Sequence, residues 1–232
     1  KEQLFSGDGT PTNTYGVFKK TSRQHLGSVG EKYEVYQNWQ MAEALLLASN
    51  ELGVTFDRGG QLSKGRKVYM QAELPSVWIG NSDVKRYITS LNSHDGSSSI
   101  GFGSSNVVVV CTNTFHKAYK DLNKFRHTSS APERIKKLAM DINSVILQDE
   151  LMMNNFKMMA DTHLKDEMVD RIIKKIFEVD PMAKTSDVSI QKQNRIKAFA
   201  GVFQKEIDTQ GRSYWGMFNA VTNYTNHIAA PQ

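Results

Sequence analysis

The sequence predicts an α+β fold: a mostly antiparallel β-sheet with a packed helix in the N-terminal half, then a helical C-terminal half. Two observations carry this. Short runs rich in β-branched and aromatic residues, separated by glycines and polar turns, recur from Tyr15 to Cys111 around a single helical stretch. From Ile135 onward the period changes, and apolar residues return at three- and four-residue steps. No internal repeat is present. A chain of 232 residues can bury a substantial core.

Residues 1–13 are rich in Gly, Thr, Ser and Asn and read as a flexible N-terminal arm. Tyr15–Thr21, Gln24–Gly27 and Tyr33–Tyr36 are strand-like, punctuated by Gly27 and Gly30. Asn38–Leu52 reads as a helix capped by Asn38, with Ala42, Leu45, Leu46 and Ser49 on one face and Gly53 as its stop. Val54–Asp57 and Lys67–Leu74 flank a glycine- and lysine-containing turn and predict a hairpin ending at Pro75. Val84–Leu91, Ser99–Phe102 and Val107–Cys111 are the further strands expected. Ser130-Ala-Pro-Glu133 has the form of a capping box. It opens an amphipathic helix running to Met159 with a polar break near Asp149. Helices over Leu164–Ile176, Ile196–Ile207 and Tyr214–Ile228 follow. The organisation expected is therefore an arm (1–13), a β-rich core with a basic segment (14–128) and a helical region packing on that core (129–232). Methionines at 152, 153, 158 and 159 are read as packing or a helix–helix interface.

Hydrophobic and charged contents of 39% and 23% are those of an ordinary globular chain. The longest apolar runs, Ala44–Ala48 and Val107–Cys111, fall far short of the ~20 residues of a membrane-spanning helix, so no membrane partner is expected. One cysteine, Cys111, excludes an internal disulfide framework, and its place after four valines reads as a small core residue. The net charge of +5 is unevenly spread. Residues 61–140 hold 12 Lys/Arg against 5 Asp/Glu, whereas 1–60 hold 6 against 7 and 141–232 hold 11 against 12. A positive middle third favours a polyanionic partner.

The polar run Ser90–Ser99 contains Asn92, His94 and Asp95, and Asn113-Thr114 follows the valines Val107–Val110. Polar groups beside a buried strand need partners. The run is either a hydrogen-bonded corner of the sheet or a ligand surface at its rim. His94 and Asp95 could also form an acid–base pair, the basis of a hydrolase alternative. Of the six histidines only His116 and His127 are close, with no cysteine or carboxylate at ligand spacing, so no metal is expected. Gly59-Gly60 and Gly101-Phe-Gly103 lack the setting of a phosphate loop, and no cofactor is expected.

The strongest functional signal is the pairing of cations with aromatic residues. Lys64, Arg66 and Lys67 precede Tyr69, and Lys85 and Arg86 precede Tyr87. Lys117, Lys120, Lys124 and Arg126 interleave with Phe115, Tyr119 and Phe125. Cations meet phosphates at any sequence and aromatic faces stack bases, which suits single-stranded DNA. Two motifs carry alternatives. Arg126 either contacts phosphate or pairs with Glu133 or Asp121. The block Tyr214–His227, with Trp215 and Asn219, is either a helix docked on the core through a hydrogen bond from Asn219 or an oligomer contact.

Several segments together carry a family resemblance: LGSVGEKYEVYQN (26–38), GGQLSKGRKVYMQAELP (59–75), VKRYITSLNSHDGSSSIGF (84–102), NVVVVCTNTF (106–115), KFRHTSS (124–130) and YWGMFNAVTNYTNH (214–227). In order and spacing over residues 15–228 the chain resembles the phage- and plasmid-borne family catalogued as domain of unknown function 932. Val109 stands where that pattern has arginine and Thr112 where it has glutamine, so the resemblance carries no ligand role to the front of this run. It implies a protein of a mobile element in the cytoplasm of a bacterial host, distantly akin to phage single-strand annealing recombinases that form rings or filaments. By that implication Lys64, Arg66, Lys67, Lys85, Arg86, Lys124 and Arg126 lie near phosphate. Asn92, His94, Asp95 and Asn113 organise a sheet corner or an inter-subunit contact. The function expected is non-catalytic binding and annealing of single-stranded DNA as a homo-oligomer. The alternatives are a phage structural or assembly protein with a basic protein-binding surface, and a hydrolase using His94 and Asp95.

Overall fold

The computed structural model describes residues 1–182, 184 and 187–228. The chain is α+β, with its strands in the N-terminal half and its helices mostly in the C-terminal half. It divides into two compact units, Lys1–Val77 with Val84–Glu150, and Trp78–Asp83 with Leu151–Gln232. Among the described residues no helix is long and apolar enough to cross a membrane.

The first unit opens with β1 (Glu2–Phe5), β2 (Pro11–Phe18) and β3 (His25–Gly30), an antiparallel sheet in that order. The segment expected as an arm is thus strand-forming, because Glu2 and Gln3 pair with Gly16 and Tyr15. Tyr33–Tyr36, expected as a strand, is an irregular connection whose groups bond to the polar run described below.

Helix α1 (Asn38–Leu52) has the bounds that its periodicity predicts. Its first free amide, that of Gln37, donates to Gln40 Oε1 at 2.8 Å, which leaves the Asn38 side chain to other work. Gly53 ends it at φ 64, with its N–H turned back to the carbonyls of Ser49 and Asn50. Met41, Ala44, Leu45, Ala48 and Ser49 form the buried face, whereas Leu46 is exposed.

A five-stranded sheet follows in sequence order: β4 (Phe56–Leu62), β5 (Lys67–Ile79), β6 (Ser82–Ser93), β7 (Ile100–Ser105) and β8 (Asn123–Phe125). Strand β5 continues through Pro75 instead of stopping there. Alternation along the strands separates two apolar clusters. Val68, Ala72, Ile88, Ile100 and Phe102 pack with α1 and with α3 (Ala131–Met140). Leu91 packs with Phe115, Ala118 and Leu122 of the segment containing α2 (Thr112–Asp121).

Val107–Val110 is not a strand. Its backbone is held by side chains: Val109 N–H donates to Gln71 Oε1 (2.9 Å), and Gln71 Nε2 donates to Val107 O (2.9 Å) and Thr89 Oγ1 (2.9 Å). Cys111 is exposed at the start of α2, not buried in the core as expected. The long helix breaks at Asp141 rather than near Asp149, giving α3 and α4 (Ile142–Asp161). Ser130 precedes α3 without a side-chain capping bond, so the capping box expected there does not form.

The second unit holds α5 (Asp166–Ile176), α6 (Ile190–Gln210) and α7 (Tyr214–Asn223), packed around Leu164, Phe177, Phe199, Met217 and Tyr224. Phe199 meets Phe177 and Tyr224 edge-on, with ring centroids 5.8 and 5.5 Å apart. Of the four methionines, Met153 is buried and Met158 exposed.

Candidate nucleic-acid interface

The polar run Ser90–Ser99 is a hydrogen-bonded corner. Asn92 Nδ2 donates to Tyr36 O (2.8 Å), and Tyr33 Oη–H to Ser93 O (2.7 Å). His94 N–H donates to Arg66 O (2.7 Å), while its Nε2 lies 2.9 Å from Asn38 Oδ1. Asp95 accepts from the Ser93 hydroxyl and from Ser97 N–H (2.9 Å). Lys67 Nζ donates to Ser97 Oγ (2.7 Å), and Ser99 N–H to Tyr119 Oη (3.1 Å). Gly27 abuts the corner closely: a Cβ there would fall on Asp95 Cα and 2.9 Å from its carbonyl oxygen. The corner therefore joins β3, the 33–36 connection, α1, β5 and α2.

Its electrostatics match that role. Burial pushes the His94 pKa below the ordinary histidine value, against the pull of nearby Asp95, so the ring is neutral at pH 7. Burial would raise the Asp95 carboxyl, but its bonds from Ser93 and Ser97 and the charge of Lys67 together hold it below the usual range. The His94 Nε2 faces an amide oxygen and the Asp95 carboxylate faces hydroxyl and amide donors. The side-chain bonds of His94 and Asp95 thus go to these groups and not to each other. Asn113 is exposed in the first turn of α2.

The cations divide into three groups. Lys64 and Arg66 are exposed on the β4–β5 turn, where Ser63, Lys64 and Gly65 all have positive φ (50°, 60° and 89°). Lys67, expected near phosphate, is only 6% exposed; its ammonium is held by Ser97 and lies 5.2 Å from the Phe115 ring centroid. Arg86, also expected near phosphate, is engaged elsewhere: its guanidinium pairs with the buried carboxylate of Asp149 and donates to Pro75 O. Burial raises the Asp149 pKa, and Arg86 opposes the rise. Lys85 is exposed and lies 3.4 Å from Glu73.

Antiparallel order places the start of β5 and the end of β6 at the same end of the sheet. Arg86 lies seven residues before Ser93, about 23 Å at ~3.3 Å per residue. Lys85 and Arg86 therefore share no patch with Lys64 and Arg66.

The third group surrounds the outer strand β8. Lys117 and Lys120 are exposed on α2, Lys124 is exposed on β8, and Arg126 is exposed directly after it. Among the described residues no ion pair joins Arg126 to Glu133 or Asp121. Arg134 and Lys137 of α3, which the sequence reading did not single out, join this group. Together with Asn123, Phe125, Leu138 and Asp141 they line a groove of about 430 Å3 along the strand. The Arg134 guanidinium lies 5.4 Å from the Phe125 ring centroid, and Lys124 Nζ lies 5.2 Å from that of Tyr119. A sequence signal for Arg134 and Lys137 exists. They stand three apart on a helix whose Ile135 and Ala139 are buried, which places them away from the core.

The aromatic partners are less available than their positions suggest. Tyr87, Phe115 and Phe125 are buried, and Tyr69 and Tyr119 are half-buried. In the second unit Trp215 is buried and stacks on Phe218 at 5.4 Å, and Asn219 Nδ2 donates to Trp215 O within its own helix (2.8 Å). The Asn219 bond is thus local to α7. Among the described residues no group of three or more His, Cys, Asp or Glu is placed to hold a metal ion.

The profile of a domain of unknown function, DUF932, matches residues 25–230. The chain belongs to that family. No curated protein and no solved structure matches it. The DUF932 match spans both units, including the polar corner, the cations around β8 and the Trp215 helix, and begins at the first residue of β3.

Proposed function

We propose that this DUF932 protein binds single-stranded DNA, without catalysis, through the cations around β8, and anneals complementary strands as a homo-oligomer of a phage or plasmid. One observation carries the reading: three successive elements place Lys120, Lys124, Arg134 and Lys137 around an outer strand, beside exposed Lys117 and Arg126. Cations on both sides of an edge strand can neutralise the phosphates of a single strand that follows it, while base pairing would supply the specificity. The bonded corner serves as the support that fixes α2 and β5 beneath it.

Fluorescence anisotropy with a labelled strand of about thirty bases tests this. Each phosphate neutralised contributes about −0.7 to the log–log slope of affinity against salt, so Lys120→Glu/Lys124→Glu should flatten the slope by about 1.4. The parent should also accelerate annealing when the complement is added. Absence of binding at low salt ends the reading. A basic surface for an acidic protein in a phage assembly is the second reading, favoured by the burial of Tyr87, Phe115 and Phe125, which removes them as stacking platforms.

A further inference from the structure

The first unit also contains a groove of about 750 Å3 lined by residues of the β1–β3 sheet and of the β4–β5 hairpin. That volume lies within the roughly 300–1,000 Å3 of small-molecule sites. One wall is the turn after β2, which carries Lys19 and Lys20. Neither has an ion-pair partner among the described residues. Arg23 in the same turn is already committed: it donates twice to Glu2 (2.6 and 2.7 Å) and covers the Phe18 ring at 5.3 Å. The turn therefore offers two ammonium groups on a wall stiffened by the arginine.

Phe56 lines the same groove and is 52% exposed. Gly59, further along that strand, leaves room for the ring: a Cβ there would lie 3.1 Å from Phe56 Cζ, and the ring would have to shift slightly. The exposed amides of Gln37 and Gln61 also line the groove, as do His94 and Asn38, which are bonded to each other at 2.9 Å. The groove thus combines the free ammonium groups of Lys19 and Lys20, the solvent-facing ring of Phe56, and amides able both to donate and to accept; Lys1, which also lines it, donates to the carbonyls of Glu31 and Tyr33. A simple inorganic anion would make no use of the ring, and an apolar ligand would leave the ammonium groups unneutralised. A phosphate ester carrying a planar heteroaromatic ring uses all three.

We propose that this groove binds one nucleotide unit, with its base on Phe56, the base edge on Gln37 and Gln61, and its phosphate on Lys19 and Lys20. The unit is either a free nucleoside phosphate or one nucleotide of a bound strand; only the second source rests on the DNA-binding reading above.

Isothermal titration of the whole chain with adenosine 5′-monophosphate, thymidine 5′-monophosphate, adenosine and inorganic phosphate tests this. The thirty-base strand is titrated in parallel, against the parent, Phe56→Ala and Lys19→Glu/Lys20→Glu. At least one monophosphate should saturate the protein and bind at least tenfold tighter than adenosine or phosphate alone. Each variant should weaken it at least tenfold with the circular dichroism spectrum unchanged. A parallel fall in strand affinity identifies a strand nucleotide as the ligand, and an unchanged strand affinity identifies a free nucleoside phosphate. Monophosphate binding without any strand binding upholds the groove and removes the DNA-binding reading. No saturation by either monophosphate, or binding indifferent to both variants, overturns the proposal.

Discussion

Replacing Gln71 by leucine should be among the most damaging single changes in the strand-rich unit. The side chain is fully buried and makes three hydrogen bonds, to Thr89 Oγ1, Val107 O and Val109 N–H, each 2.9 Å long. Leucine is close in size, so little of the loss comes from a cavity. The cost comes from leaving the Val109 N–H, the Val107 carbonyl and the Thr89 hydroxyl without partners beside buried neighbours. At roughly 1–3 kcal/mol for each buried group left unsatisfied, and with partial relief by relaxation, the loss comes to about 3–6 kcal/mol. That is a large share of the ~5–15 kcal/mol by which a typical domain is stable. Thr89→Val removes one of the three bonds and should cost only about 1–2 kcal/mol. Urea unfolding followed by circular dichroism gives both values, and amide exchange at Val109 reports the local effect. If Gln71→Leu unfolds within about 0.5 kcal/mol of the parent, or if Val109 exchanges no faster, the side-chain account of the valine run is wrong.

Other changes test other contacts. Arg86→Ala strands a buried carboxylate and should cost about 3–5 kcal/mol near neutral pH in the same urea assay. Because burial already raises the Asp149 pKa above its unfolded value, the folded state holds its proton to higher pH, so stability falls as pH rises through that window. Without Arg86 the window widens, and the deficit of the variant should be smaller at about pH 4.5 than at about pH 7.5; an equal deficit at both would refute this. The His94 ring should titrate by NMR below the ordinary value of about 6.5, with its contribution to stability present above the unfolded value and lost as pH falls from there through the lower folded value; a midpoint above 6.5 would contradict the burial argument. Gly27→Ala places a methyl group against the Asp95 backbone and should cost about 1–3 kcal/mol, read as a lowered melting temperature, whereas Gly30→Ala meets open space and should cost less.

Much of the fold was legible because it follows from local rules. The bounds of α1 and its left-handed stop at Gly53 were legible, although the cap is Gln37 and not Asn38, and the buried face takes Met41, Ala44 and Ala48 with Leu45 and Ser49 in place of Leu46. The changed period after Ile135 announced the helices, although it ran on across Asp141, where the chain breaks between α3 and α4. The polar run was recognisable as a place that needs partners, from a sheet corner or from a ligand, because so many hydrogen-bonding groups stand beside apolar strands. The partners that satisfy them, Tyr36, Asn38 and Arg66, come from elsewhere in the chain.

The sequence by itself determined the α+β class, the positive middle segment and the need of Ser90–Ser99 for polar partners, since these depend on side-chain chemistry and short-range periodicity. Tertiary structure alone decided which cations are available. Arg86 meets a carboxylate 63 positions away, Lys67 meets a hydroxyl 30 positions away, and Lys120, Lys124, Arg134 and Lys137 remain around the outer strand. It also decided that four valines of high strand propensity form no strand, because a ladder needs a neighbouring backbone and Gln71 occupies that place instead. A cation or an apolar run carries its charge or hydrophobicity in the sequence, but its partner is set by long-range packing.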